Sequence, residues 1–366
     1  VEAAKNLGIE ICEIKKIDNS PAGIFNLYNK TTNFELATEN NEALVLHTSG
    51  TTSRPKVVPL TNKNIFSSAT NIANSLQLSS QDHCYNIMPL FHIHGLIAVL
   101  SSSINAGASV YASSGFNALK FLETADKESI TWYSGVPTMH QAILMRAKKN
   151  PKLAEELSLR FIRSSSASLP PAVFDELKKI FKTTVIEAYG MTEATHQMTS
   201  NPMPPEKQKA GFVGKPAGPE VCIMDAQGNK LDSGVDGEVC IRGDNVTNGY
   251  ENNEEANKTA FINGWFRTGD QGHFDDEGYL KISGRLKEII NRGGEKVSPL
   301  EVDNILMEHE AVEQVVTFAV KDNLLGEAIG VAIVLKSGID CNETDIKNYA
   351  RKHLADFKIP KYIRFL

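Results

Sequence analysis

Cysteine is scarce in this sequence of 366 residues: Cys12, Cys84, Cys222, Cys240 and Cys341 are odd in number, scattered, and without any Cys-x-x-Cys spacing. A disulfide-stapled scaffold and a zinc ribbon are excluded, and a reducing compartment, the cytoplasm, is the expected setting, with peroxisomal association left open for a eukaryotic source. An excess of positive charge is also missing. Lys and Arg total 38 against 44 for Asp and Glu, a net of −6, so nucleic acid and anionic membrane are not expected partners. Nor is there a membrane-spanning run. Tyr85 to Leu119 contains no Asp, Glu, Lys or Arg, yet Pro89, His92, His94, Ser101 to Ser103 and Asn105 interrupt it, and a span needs about 20 predominantly apolar residues. A buried strand and helix are expected there instead, with no integral membrane contact. No signal-peptide pattern opens the chain, but Val1 is not an initiator Met, so targeting is not judged. Internal repeats and low-complexity linkers are absent, and oligomeric state leaves no mark.

What is present is the 41% hydrophobic content of an ordinary globular protein, long enough for two or three folding units. From Ala43 onward short apolar runs read as strands: Ala43 to Thr48, Tyr85 to Leu90, Ser109 to Ala112, Ile130 to Ser134, Phe161 to Arg163 and Val185 to Ala188. Between them lie helical patterns, one capped by Thr61 and running towards Leu76, another opened by Pro170 and Pro171 and continued from Phe174 to Phe181. This alternation predicts an α/β fold with a doubly wound sheet. After Gly211 the runs shorten and Gly and Asp turns multiply, with strands over Gly218 to Met224 and Gly237 to Gly243, predicting an antiparallel subdomain. A second boundary falls near Arg285. Beyond it a helix (Pro299 to Glu308), two strands (Val312 to Val320, Ala328 to Leu335) and a helix (Asn342 to Leu354) predict a small α+β domain. The expected domains are 1–284 and 285–366.

His47-Thr48-Ser49-Gly50-Thr51-Thr52-Ser53-Arg54-Pro55-Lys56 packs five hydroxyls, a glycine and two cations into ten residues directly after a strand. Glycine lets the backbone approach a polyphosphate, hydroxyl and N–H groups donate to its oxygens, and Lys56 adds a movable charge. A hydroxyl-rich surface turn would have the same composition. The Walker pattern fails, since Pro55 stands at the second Gly and Val57 follows the Lys. The stretch from Thr48 to Lys56 resembles the signature of the adenylate-forming superfamily of acyl-CoA synthetases, luciferases and peptide-synthetase adenylation domains. It departs from the pattern at Ser53 and Val57, each in place of a usual Gly. Tyr189-Gly190-Met191-Thr192-Glu193, Trp265-Phe266-Arg267-Thr268-Gly269-Asp270 and Gly284-Arg285-Leu286-Lys287-Glu288 follow in the superfamily's order and approximate spacing, and the resemblance covers the chain from about Ala43 to Leu366.

The resemblance implies an enzyme that uses ATP to adenylate a carboxylate, releases pyrophosphate, and passes the acyl group to coenzyme A. Such a site must shield phosphate charge and hold the attacking oxygen in line. Glu193 is the expected Mg²⁺ ligand, a hard oxygen donor of the kind this ion takes in small number, and Thr192 the phosphate partner beside it. Thr48, Ser49, Gly50, Thr51, Thr52, Ser53 and Lys56 would hold phosphates. Asp270 and Arg285 would reach the ribose, and Tyr189 would stack on adenine. Gly293-Gly294-Glu295-Lys296-Val297-Ser298-Pro299 resembles the loop that enters the site for the thioester step, with Gly294 in the nucleotide- and CoA-binding set and Lys287 as the hinge on which the small mobile domain turns. His92 and His94 are expected on one face of a strand. Without a nearby carboxylate or Cys pair they do not read as a metal site; the resemblance places His92 beside the acyl substrate and leaves His94 to the core.

Ser164-Ser165-Ser166-Ala167-Ser168 and Thr195-His196 stand where relatives with aryl or long acyl substrates commonly carry smaller residues. Added β-carbons and hydroxyls narrow an acyl tunnel, and a small dianion entering it needs donors, which Ser166 and His196 would supply. Met191 to Pro202, with His47 and Ser53, resembles the oxalate–CoA ligases of plants and fungi, so oxalate is the expected acid and a medium-chain or aryl acid the alternative. The resemblance also implies that both ends are truncated here. The superfamily's extended N-terminal region and a C-terminal Pro-Lys-x-x-x-Gly-Lys-like segment, whose Lys contacts the α-phosphate, are not seen before His47 or after Lys358-Ile359-Pro360-Lys361. A chain so shortened is expected to bind nucleotide and adenylate slowly. The competing readings are a nucleotide-binding pseudoenzyme and a P-loop phosphotransferase, the latter disfavoured by the Walker mismatch.

Overall fold

The computed structural model describes residues 2–8, 13–16, 25–28, 37–48 and 55–366. Ser49 to Arg54, most of the phosphate loop, lie outside the described residues, as does Cys12. The chain divides into two units, Val1–Asn41 and Glu42–Leu366. In the first, a helix (Glu2–Asn6) precedes an antiparallel pair, β1 (Glu13–Lys16) and β2 (Phe25–Tyr28).

The second unit opens with the antiparallel pair β3 (Glu42–His47) and β4 (Val57–Thr61), which flank the phosphate loop. Thr61 then caps the helix Asn62–Ser75 in a capping box with Asn64, satisfying two of the N–H groups that a helix start leaves open. Seven strands follow: β5 (His83–Asn86), β6 (Ser109–Ala112), β7 (Trp132–Gly135), β8 (Phe161–Ser164), β9 (Thr184–Met191), β10 (His196–Ser200) and β11 (Lys215–Pro216). They form one sheet in the order β11-β10-β9-β8-β7-β5-β6, parallel from β6 to β9 and antiparallel at the β10 and β11 edge.

Strand periodicity sends successive side chains to opposite faces, and the sheet is covered on both. Trp132, Phe161 and Ile186 enter one core with Leu60, Ile72 and Ile97; Tyr133, Ile162 and Val185 enter another with Leu144, Phe174 and Leu177. The second core is closed by the helices Pro137–Lys149 and Pro171–Phe181, both opened by proline at the first turn.

An antiparallel sheet comes next: β12 (Glu220–Met224), β13 (Gly237–Arg242), β14 (Phe261–Ile262), β15 (Trp265–Phe274) and β16 (Leu280–Arg285). The small C-terminal portion has its own sheet of β17 (Ile290–Arg292), β18 (Glu295–Val297), β19 (Val312–Asp322), β20 (Gly326–Leu335) and β21 (Tyr362–Phe365), with the helices Pro299–Met307 and Glu343–His353. Its core, from Ile290 to Leu354, is apolar and separate from the other clusters. The α/β architecture with an antiparallel sheet and a small C-terminal α+β portion matches the expectation.

One local expectation fails. The strand expected from Tyr85 to Leu90 ends at Asn86, and His92 and His94 do not share a strand face: His94 opens a π-helix, His94–Ser101, which runs into the helix Ser102–Asn105. Gly95 is needed at this start, because a Cβ there would lie 2.4 Å from the carbonyl oxygen of Pro89. No described helix is long and apolar enough to cross a membrane.

Candidate active site

Three groups of polar side chains stand on the segments around the carboxyl ends of the parallel strands, where open α/β sheets bind their ligands. The first forms around Glu193, on a single 3₁₀ turn (Thr192–Ala194) after β9. Its carboxylate is buried, and Oε1 accepts a hydrogen bond from the Tyr250 hydroxyl at 2.7 Å. Oε2 accepts none from any described residue. The Lys56 ammonium stands 4.3 Å from the centre of the Tyr250 ring, close enough for cation–π attraction. Thr48 and Lys56 close the base of the phosphate loop: Thr48 N–H donates to the Lys56 carbonyl at 2.9 Å, and Lys56 N–H to Thr48 Oγ1 at 3.1 Å. Thr192 is half-buried, and its carbonyl accepts from Thr195 N–H. Tyr250 was not read from the sequence, because an isolated tyrosine in a loop carries no signal of its partner.

A Mg²⁺ ion fits this donor set. No group of three or more His, Cys, Asp or Glu gathers among the described residues, so the chain would offer Glu193 as a single carboxylate. That suits an ion that keeps waters and takes phosphate oxygens for its remaining positions.

The second group joins β9, β15 and β16. Asp270 is buried, accepts a hydrogen bond from the Tyr189 hydroxyl, and pairs through Oδ1 with Arg285 Nε at 2.7 Å. The two residues are also Cα partners in the β15–β16 register. Burial pushes the Asp270 carboxyl above its usual range, and Arg285 and Tyr189 oppose that shift. Tyr189, Asp270 and Arg285 thus meet as a cluster, with the tyrosine's hydroxyl committed to the aspartate.

The third group is the most buried. The His94 side chain is fully enclosed; its Nε2 lies 2.6 Å from Ser134 Oγ and its Nδ1 3.0 Å from Ser166 Oγ. The His196 ring is 5.0 Å away, centre to centre. Behind them Arg163, on β8 and fully buried, donates through Nη1 to Ser134 Oγ (3.2 Å) and through Nη2 to Gln197 Oε1 (3.1 Å), with Nη1 3.4 Å from His94 Nε2. None of these partners is an anion. Burial pulls Arg163 down to about 9, still cationic at neutral pH. Burial, and then the charge of Arg163, hold His94 and His196 well below the usual histidine range, so both are neutral imidazoles. His92, expected beside the substrate, is half-buried; its Nδ1 accepts from His94 N–H at 3.1 Å. It is His94, assigned to the core from sequence, that contacts Ser166. Arg163 was read only as the end of a strand, and with Arg160 three residues before it nothing in the sequence marked it out.

Backbone strain gathers at this group. Ser166 (φ 72°), Thr195 (φ 49°) and His196 (φ 96°) all adopt positive φ, which is uncommon for residues with a side chain and persists only where surroundings enforce it. For Thr195 and His196 the enforcing contacts are visible. Asn245 Nδ2 donates to the carbonyls of Ala194 and Gln197, Thr195 Oγ1 donates to the Asn245 carbonyl, and Ser68 Oγ donates to that of Thr195. Gly294 lies apart in character, at the second turn position of the β17–β18 hairpin, with φ +97° and open space at its missing Cβ.

A doubly wound sheet with a buried carboxylate, an aspartate–arginine pair and a buried polar cluster around an arginine near the carboxyl ends of its strands defines a small-ligand α/β enzyme fold. The chain belongs to the AMP-binding enzyme family: that family matches residues 9–251 and the AMP-binding enzyme C-terminal domain matches residues 301–366. It is 48% identical to an oxalate–CoA ligase of Arabidopsis thaliana over 370 residues (99% of this chain, 72% of the relative). It is 49% identical to an oxalate–CoA ligase of Saccharomyces cerevisiae over 332 residues (90% and 60%). Among solved structures it resembles ATP-bound MatB from Rhodopseudomonas palustris, with a TM-score of 0.84, 29% identity and coverage of 90% of this chain and 65% of that one. The o-succinylbenzoate CoA synthetase MenE of Bacillus subtilis, in complex with ATP and magnesium ion, gives 0.81, 31%, 91% and 68%. The chain therefore spans roughly three-fifths to seven-tenths of the length of these relatives.

Proposed function

We propose that the protein containing this chain is an AMP-forming acid–thiol ligase that converts oxalate to oxalyl-CoA. A carboxylate oxygen of the acid attacks the α-phosphorus of ATP, the bond to the bridging oxygen breaks, and pyrophosphate leaves; the CoA sulfur then attacks the acyl carbon and AMP leaves. Glu193, steadied by Tyr250, would hold Mg²⁺, which shields the phosphate charge. Lys56 would move from the Tyr250 ring to the phosphates, joined by Thr48, Thr192 and the loop residues Ser49 to Ser53. Asp270 and Arg285 would take the ribose hydroxyls, with Tyr189 beside the adenine. The portion 285–366 would rotate about Lys287 between the two half-reactions and carry Gly294 into the site.

The observation that carries the substrate assignment is the cluster of His94, Ser166 and His196 in front of Arg163, whose buried charge meets no anion among the described residues. A short dianion would bring an acceptor to this cluster, in which Arg163 Nε and His196 Nδ1 have no partner, whereas the apolar body of a hexanoyl or coumaroyl group would bring none, at a cost of about 1–3 kcal/mol for each buried group left unpaired. The test is exchange of labelled pyrophosphate into ATP by the full-length protein, offered oxalate, hexanoate or coumarate in turn. Oxalate alone is expected to drive it, and AMP, not ADP, to accumulate once CoA is added. Exchange with hexanoate or coumarate and none with oxalate would overturn the assignment.

A further inference from the structure

We propose that Arg163 is a positioning residue that fixes the proton on Nδ1 of His94 and thereby leaves the Ser166 hydroxyl pointing its own proton into the acyl pocket. The inference rests on the carboxylate pocket proposed above. A guanidinium has only donors, so Nη1 donates to Ser134 Oγ at 3.2 Å, and the Ser134 proton is left for His94 Nε2 at 2.6 Å. The same guanidinium lies 3.4 Å from that nitrogen, where an Nε2–H would point its positive end at a positive charge. Nε2 therefore accepts. The imidazole proton sits on Nδ1 and is donated to Ser166 Oγ at 3.0 Å, and the Ser166 O–H remains for the ligand.

The chain of bonds has one direction because it starts at a group that can only donate, and it ends in a donor. An anion is what completes it. The groups that act on His94 are Arg163 from β8, His92 from its own segment and His140 from the helix Pro137–Lys149, with the neutral His196 ring from β10 and Ser134 from β7 packed against it. No carboxylate is among them. Nothing else in the pocket would hold the tautomer once the guanidinium is lost, since a serine both donates and accepts.

The experiment is ¹⁵N spectroscopy of labelled histidine in the full-length protein, with the His94 signals assigned through His94→Asn. The unmodified protein is expected to show a neutral, Nδ1-protonated ring throughout the neutral pH range. In Arg163→Gln the ring should change tautomer or take up a proton within that range, and Arg163→Lys should restore the original signature. In parallel, KM for oxalate in Arg163→Gln should rise by about tenfold or more relative to that for a monocarboxylate, with kcat changed far less. An unchanged His94 signature in Arg163→Gln overturns the proposal. Should that variant fail to fold, Ser166→Ala at its exposed position tests the end of the same chain: KM must rise for the dianion selectively, and an equal rise for both acids overturns it. If oxalate drives no exchange in the unmodified protein while the His94 signature responds to Arg163 as described, the substrate assignment falls and the positioning role stands.

Discussion

Glu193 holds its place through one strong hydrogen bond, from Tyr250, and one from its own backbone, where its carbonyl accepts from Thr247 N–H at 2.8 Å. A partner of this kind orients a metal-binding carboxylate, and its loss typically costs 10–100-fold in metal affinity or activity, by rough estimate. Tyr250→Phe is accordingly expected to raise the Mg²⁺ concentration for half-maximal pyrophosphate exchange by about tenfold or more, read from a magnesium titration at saturating ATP. Glu193→Gln should lower exchange by about a hundredfold or more at any Mg²⁺ concentration, the scale seen when one transition-state partner is removed. Sequence motifs made Glu193, Asp270 and Arg285 legible as candidates. Tyr250 and Arg163 were not, because their roles come from neighbours distant in the chain, and the ring of His94 looked like any other apolar-segment histidine.

At the scale of elements, the turn between β9 and β10 is the most constrained part of the fold. Gly190 is paired with Gln197 across the β9–β10 ladder, and a Cβ on it would lie 1.9 Å from the carbonyl oxygen of the preceding His196. Gly190→Ala therefore has to push β10 away from β9. We expect a loss of about 1–3 kcal/mol in denaturant unfolding, accompanied by loss of oxalate-dependent exchange, since His196 moves with the strand.

On the opposite face of β9, Glu187 is a buried acid whose Oε1 accepts from Leu169 N–H at 3.0 Å while Oε2 has no partner. Burial pushes its carboxyl up to about 8 from the ordinary 4.5. Between these values the folded chain keeps a proton that the unfolded chain releases, so stability falls as pH rises through that window. In Glu187→Gln the amide oxygen can still accept from Leu169, and the fall should vanish. Urea midpoints at about pH 5 and about pH 8 check it: a wild-type slope equal to that of the variant would show that Glu187 does not titrate there.

Across the whole molecule, the connection from β16 to the small C-terminal sheet is a single turn. Leu286 N–H donates to Gly269 O at 2.9 Å, and the N–H groups of Glu288 and Ile289 both reach the Arg285 carbonyl. The Lys287 N–H makes none of these bonds, so proline at this position removes no partner while fixing φ. If the small portion rotates between half-reactions, Lys287→Pro should change pyrophosphate exchange and CoA thioester formation by factors that differ about tenfold or more. Equal changes would argue against a hinge at this residue.

The sequence by itself determined the α/β class, the run of strands and helices, and the motifs that are candidates for phosphate, ribose and metal binding, because hydrophobic period, proline and cap positions, and short contiguous motifs act locally. The tertiary structure alone decided which histidine meets Ser166 and what stands behind it. The π-helix at His94 depends on the close approach of Gly95 to Pro89. The cluster joins residues 94, 134, 163, 166 and 196 through a sheet whose spatial order differs from its chain order. The buried charge of the cluster belongs to Arg163, which sequence placed in a strand and only packing enclosed.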